Sequence, residues 1–164
     1  MKLEIEMIPQ TSFGCNLRER MTANQWNKIR NAIYERQDNK CAICGAIKGV
    51  DCKRLNAHEL WEYDDKNHIQ KLADIVALCD KCHNCIHIGR TEQVAKQLND
   101  PSIMEDIINH YTKINNCSRT QFEKDKTLAY VDWLGRSTHE WKLDISHLKD
   151  MGFEEIFESI KKED

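Results

Sequence analysis

Two cysteine pairs, Cys41-x-x-Cys44 and Cys79-x-x-Cys82, are the residues of this chain whose types and spacing most clearly imply chemistry. Each pair is half of a tetrahedral site, and four thiolates together match a closed structural zinc site. Six of the eight cysteines (Cys41, Cys44, Cys52, Cys79, Cys82, Cys85) share one stretch, and in a reducing compartment that density reads as metal before disulfide. Cys82-x-x-Cys85 is an overlapping pair and Cys52 a substitute member, but either choice disrupts the symmetry of the two pairs. A redox dithiol would need a thioredoxin-like context, which is absent. Cys15 and Cys117 stand alone and read as ordinary thiols.

Histidines form a second set. His83 follows Cys82 directly and His87 lies one helical turn further on, so on a helix both rings face the same way. His58 sits within Leu55–Trp61, a stretch that reads as a strand. Three neutral imidazoles make a good nitrogen site for a divalent transition metal and leave positions open for water or phosphate.

Several elements must position these groups. Leu3, Ile5 and Met7 alternate with Lys2, Glu4 and Glu6, which predicts a short strand ended by Pro9. Thr22-x-x-Gln25 is a capping-box pattern, and Trp26, Ile29 and Ile33 extend a helix to about Gln37, broken at Asp38-Asn39. Gly45 and Gly49 mark a turn-rich loop. Leu55–Trp61 and Ile75–Leu78 predict two strands separated by the polar run Asp64–Asn67. Asp80 is the expected N-cap of a helix that carries Cys82, His83 and His87 and stops near Gly89. Asp100-Pro101 starts another helix, with the apolar stripe Ile103, Met104, Ile107, Ile108, Tyr111 and Ile114 reading as core. A further helix is expected from about Arg119 to Leu134, ending at Gly135. Trp141, Leu143 and Ile145 fit a short strand. The predicted class is α+β, mainly helical, with a small β element in the middle. Residues 1–39 form an N-terminal strand and helix, 40–90 the metal-binding core, and 91–164 a helical extension with an acidic tail.

Charge points the same way. The chain has 24 Lys and Arg against 27 Asp and Glu, a formal charge of −3, and 40% apolar residues, enough for a modest core. Bases outnumber acids before residue 40 and equal them over 41–90. Acids dominate beyond residue 91, and Glu154, Glu155, Glu158, Glu163 and Asp164 would repel a polyanion. Any nucleic-acid contact is therefore expected from the first half. No apolar run approaches the roughly 18 residues of a membrane span, and Met1–Gln10 lacks the apolar region of a signal peptide. The expected location is cytoplasmic.

The run Cys41-x-x-Cys44, His58-Glu59-x-Trp61-x-Tyr63-Asp64 and Leu78-Cys79-x-x-Cys82-His83-x-x-x-His87-x-Gly89 resembles the zinc-knuckle branch of the HNH endonucleases. It is similar to small bacterial and phage HNH proteins with the core HExWxYD…LCxxCHxxxHxG. The likeness covers about residues 40–90 and extends less distinctly to Trp26, Arg30 and Trp141-x-Leu143-Asp144. It implies a ββα-metal finger stapled by a four-cysteine zinc site and flanked by helices. It also implies hydrolysis of DNA phosphodiesters, structural Zn2+, and one catalytic divalent cation (Mg2+, Mn2+, Ni2+ or Zn2+). By the resemblance His58, His83 and His87 hold that cation. Glu59 stands where the family has its general-base His, and Asp74 where an Asn orients the base; both depart from the pattern. Glutamate is a weaker base than histidine, strengthened by burial and weakened by a nearby cation. Placing His58 itself as the base is an alternative that leaves fewer ligands. Lys53, Arg54, Lys81 and Arg90, with Arg18, Arg20, Lys28, Arg30 and Arg36 upstream, could meet a DNA backbone. A reading from another class is a non-catalytic zinc module that binds nucleic acid or a protein partner, favoured by Glu59, Asp74 and the negative net charge. Nuclease action on RNA or on branched or modified DNA is a third. A protein partner or homo-oligomer fits the apolar stripes of the later helices.

Overall fold

An antiparallel hairpin occupies the centre of the protein. The structure, a computed structural model, describes residues 1–12 and 16–162, so Cys15, Glu163 and Asp164 lie outside the described residues. Strand β1 (Leu55–Asp64) pairs with β2 (Ile69–Cys79), in register from Leu55 opposite Cys79 to Asp64 opposite Ile69. Both strands run longer than their apolar cores predict. Backbone pairing carries them outward through half-exposed polar residues, where alternation of hydrophobicity fades as a signal. Leu60 faces Asp74 and Trp61 faces Leu72, so Ala73 is the extra residue of a bulge. Asp64 closes the turn by accepting the N–H groups of Lys66 and Asn67, and His68 adopts the left-handed φ of 52°.

The second half of β2, Ile75 to Cys79, is buried throughout. Such a continuous apolar run is what a strand covered on both faces requires. Helix α1 (Ala23–Arg36), started by the Thr22–Gln25 capping box, supplies part of the cover. The C-terminal end of α1 also satisfies the outer edge of β2. Arg36 donates to the Ile75 carbonyl at 2.7 Å, and the Gln37 side chain accepts the Ala77 N–H at 2.8 Å. Ala42 N–H donates to the Ala77 carbonyl at 2.9 Å. Side-chain and loop groups thus occupy an edge that would otherwise invite another strand. Further out on the same strand, β3 (Lys142–Asp144) adds in parallel, with Ile69 opposite Lys142, to complete a three-stranded sheet.

Strand β2 passes directly into α2 (Asp80–Ile86). Here the expected boundaries shift. Cys79, not Asp80, is the N-cap: its sulfur accepts the Cys82 N–H at 3.5 Å, while Asp80 is the first helical residue and binds Arg54 and Asn56. The helix ends at His87, whose φ of −90° and ψ of 51° turn the chain straight into α3 (Ile88–Leu98). Gly89 therefore lies inside a helix instead of ending one. A Cβ at that position would come 2.8 Å from the Met7 methyl, so the glycine admits the N-terminal segment.

That N-terminal segment is not the expected strand. Glu6 N–H donates to the Ile86 carbonyl at 3.0 Å, and the Asn115 side chain pairs with both backbone groups of Leu3. A helix end and an amide replace a strand partner, while the alternation still places Leu3 fully in the core.

Helices α4 (Ser102–Asn115) and α5 (Arg119–Arg136) follow, then α6 (His147–Asp150) and α7 (Glu154–Lys161). The stripe on α4 buries Ile107, Ile108 and Tyr111, and Tyr111 hydrogen-bonds Asp125 of α5 at 2.8 Å. Helix α5 continues through Gly135 to Arg136. The fold is α+β and mostly helical: a hairpin followed by a helix, flanked by helices on both chain ends. Among the described residues no helix is long and apolar enough to cross a membrane.

Candidate metal centre

Helix α2 carries residues of two clusters. On one side Cys79 and Cys82 meet Cys41 and Cys44, all four sulfurs lying within 4.8 Å of one another. The first pair sits on a tight turn in which Cys41 N–H donates to the Ala46 carbonyl at 2.9 Å and Gly45 N–H to the Cys41 carbonyl at 3.0 Å. Gly45 has a φ of 74°, which a glycine adopts without penalty. The second pair sits where β2 becomes α2, so the cluster staples a loop to the hairpin–helix junction.

A tetrahedron with metal–sulfur bonds of about 2.3 Å has edges of ~3.8 Å, and Cys44 Sγ lies 3.6 Å from Cys79 Sγ. The donor set and its size suit a structural zinc ion. Hydrogen bonds from Cys79 and Cys82 pull the Cys41 thiol well below its ordinary range. Donating to that sulfur pushes Cys79 up to about 12 and Cys82 up as well.

Outside the cluster, Cys85 donates to the Ile107 carbonyl at 3.5 Å and burial pushes its thiol up to about 12. Cys52 and Cys117 are free and half-buried. A residue that the sequence did not reveal does join the cluster. His110 of α4 places Nε2 3.1 Å from Cys82 Sγ, in position to donate to a thiolate there. No spacing rule connects it to the cysteines; helix packing alone brings it in.

On the other side of α2 are His58, His83 and His87, each offering a nitrogen within 4.8 Å of the other two. The expected convergence of His83 and His87 holds even though His87 lies one residue beyond the helix, and β1 brings His58 across to meet them. His58 Nδ1 lies 3.2 Å from His87 Nε2, close to the ~3.3 Å edge implied by metal–nitrogen bonds of about 2.0 Å. Burial lowers all three rings, His58 and His83 to about 4 and His87 to about 3. At neutral pH they are uncharged, with lone pairs available. Three nitrogens could hold a divalent ion and leave coordination positions free, and His83 and His87 are only half-buried.

The carboxylates are arranged differently. Glu59 follows His58 on an extended strand, so the two side chains leave opposite faces. Glu59 Oε1 accepts the Leu17 N–H at 3.0 Å, and burial raises the carboxyl to about 7 against that bond and a second from Trp61. Asp74 pairs with Arg36 at 2.9 Å and caps its own neighbour, Ile75 N–H, at 2.7 Å. His68, at the hairpin turn, stacks on His139 with ring centroids 4.2 Å apart.

Glu6 is the second residue missed by sequence reasoning. Its carboxylate lies 3.5 Å from His58 Nε2, and burial raises it to about 7. In one dimension it is only the polar side of an alternating segment.

Of the bases expected to meet DNA, Lys53, Arg54, Lys81 and Arg90 are all exposed. Arg90 and Arg54 lie near enough to His83 to help lower it, and Arg90 acts on His87 as well. Arg54 also binds Asp80 at 3.0 Å. No family model, curated protein or solved structure matches this chain.

Proposed function

We propose that the protein is a metal-dependent DNA endonuclease of the HNH type, its centre a ββα-metal finger braced by structural zinc. The observation that carries this reading is the convergence of His58, His83 and His87 on one point from a hairpin and the helix that follows it. In this reading the three imidazoles hold a divalent cation, which supplies the positive charge that stabilises a scissile phosphate and its leaving oxygen. Arg90 and Arg54, beside His83, draw the phosphate in, and Lys53 and Lys81 add to the same basic surface. By the resemblance Glu59 would be the general base. Its carboxyl leaves the other face of β1 from His58 and is bonded to Leu17 N–H, so it would have to give up that bond to reach water at the ion. A carboxyl raised to about 7 is matched to taking a proton from water near neutral pH. Asp74, held by Arg36, steadies the strand opposite the base.

The test is supercoiled plasmid incubated with pure protein and Mg2+, Mn2+, Ni2+ or Zn2+, beside Glu59→Ala and His83→Ala. Nicking that needs added metal and falls by at least roughly 100-fold in both variants is the expected result. A second reading is favoured by the hydrogen bond that ties Glu59 to Leu17. If no metal supports cleavage of any duplex or single strand, and zinc-loaded protein still shifts DNA, the chain is a non-catalytic zinc module.

A further inference from the structure

The N-terminal segment brings a single carboxylate to the imidazole cluster. We propose that Glu6 is a positioning residue that accepts the Nε2 proton of His58 and so turns the Nδ1 lone pair toward a divalent transition-metal ion shared with His83 and His87. The inference rests on the imidazoles holding an ion, not on what that ion is used for.

Three observations support it. First, the proton on His58 has to go somewhere. Its Nδ1 lies 3.2 Å from His87 Nε2, so both nitrogens must present lone pairs when they bind one ion. The ring proton must then sit on Nε2, which is buried and makes no hydrogen bond. Second, the acceptor is at hand. Glu6 Oε2 lies 3.5 Å from that Nε2, and Oε1 of the same carboxylate is also buried without a partner. Each group supplies what the other lacks, and a movement of a few tenths of an ångström brings the pair to the 2.7–3.2 Å of a good hydrogen bond. Third, the placement is built. Glu6 N–H is bonded to Ile86 at the end of α2, Leu3 is fully buried and clasped by Asn115, and Met7 fills the notch at Gly89. Glu6 is thereby tied to the helix that bears His83, with Leu3 held by α4 on one side and Met7 packed on α3 on the other.

Glu6 itself stays out of the set of atoms within mutual reach of the ion. Its role is that of the outer carboxylate in a carboxylate–histidine–metal arrangement, which fixes a tautomer and strengthens the ligand.

The experiment titrates Co2+ alone into protein whose cysteine site is loaded with zinc, for the parent chain, Glu6→Ala and Glu6→Gln. Affinity is read from the visible absorption of the bound ion. The tautomer of His58 is read from long-range proton–nitrogen correlations. The expected result is a loss of roughly 10–100-fold in Co2+ affinity for Glu6→Ala. Glu6→Gln, whose amide oxygen still accepts the hydrogen bond from Nε2, keeps most of the parent's affinity. In the parent, His58 carries its proton on Nε2. Affinity within twofold of the parent in Glu6→Ala, or a proton on Nδ1 in the loaded parent, overturns the proposal and leaves the imidazole site standing. Failure of the parent to bind Co2+ beside intact zinc overturns the imidazole site and Glu6's role together. Unchanged zinc content and circular dichroism in the variants separate positioning from folding.

Discussion

The thiol cluster and the imidazole cluster share one short helix, yet the protein surrounds them in different ways. The sulfurs close on themselves: Cys79 caps α2, three of the four thiols are buried, and His110 covers Cys82 from α4. Their ligands come from two separate segments, Cys41 and Cys44 from a turn and Cys79 and Cys82 from the place where β2 becomes α2. The nitrogens, by contrast, are already placed by the hairpin and α2, number three and not four, and belong to rings two of which are half-buried. One set joins a loop to the hairpin–helix junction; the other lies between the hairpin and the residues at and just beyond α2. Four enclosed sulfurs suit a closed structural site, whereas three nitrogens could hold an ion and leave coordination positions free.

The largest expected effect tests this division directly. Cys79→Ala removes a ligand and a helix cap together. Structural zinc contributes about 10–16 kcal/mol in small domains, as much as a domain's entire stability. The variant is expected to lose bound zinc and its cooperative thermal transition, while His83→Ala keeps both and loses no more than about 1–2 kcal/mol. Circular dichroism melts with zinc quantification read the contrast, and an unfolded His83→Ala would break it.

A smaller effect sharpens it. His110→Ala strips the outer cover from Cys82, and zinc is expected to leave to a chelator about tenfold more readily, the usual scale for outer-shell partners. Ion binding by the imidazoles should not change, because His110 faces only the sulfur side.

The smallest effect depends on pH and sets Glu59, on one face of β1, against the imidazoles on the other. Glu59 is raised to about 7 in the folded chain, against about 4.3 when unfolded. Its contribution to stability is thus complete below ~4.3 and lost as the pH rises through about 7. His58, His83 and His87 act with the opposite sign. They are lowered to about 4, 4 and 3, so their contribution is complete above ~6.5 and lost as the pH falls. Glu59→Gln should therefore gain about 1 kcal/mol on the parent between about pH 6 and about pH 8. Urea unfolding of zinc-loaded protein measures it, and an unchanged difference would show that Glu59 is not buried as described.

Much of this was legible in the residues. The cysteine spacing named its four members, because two residues between sulfurs is a local geometric constraint that survives any packing. The capping box at Thr22 and the stripe on α4 were equally local. The strand lengths were not, since β1 and β2 extend through polar residues held by backbone pairing. The expected N-terminal strand failed for the same kind of reason: alternation shows which side chains turn inward, but not whether a strand lies alongside. Gly89 misled because a glycine that ends a helix and one that admits a neighbouring methionine look alike in one dimension.

The sequence by itself determined which groups can bind metal, because ligand chemistry and short spacings are properties of residue types. The tertiary structure alone decided what stands behind those groups. Glu6 reaches His58, His110 reaches Cys82, and Glu59 turns to Leu17 only after helices and strands have packed. A burial-shifted pKa or an outer-shell hydrogen bond depends on distances between segments far apart along the chain, and no local pattern encodes those distances.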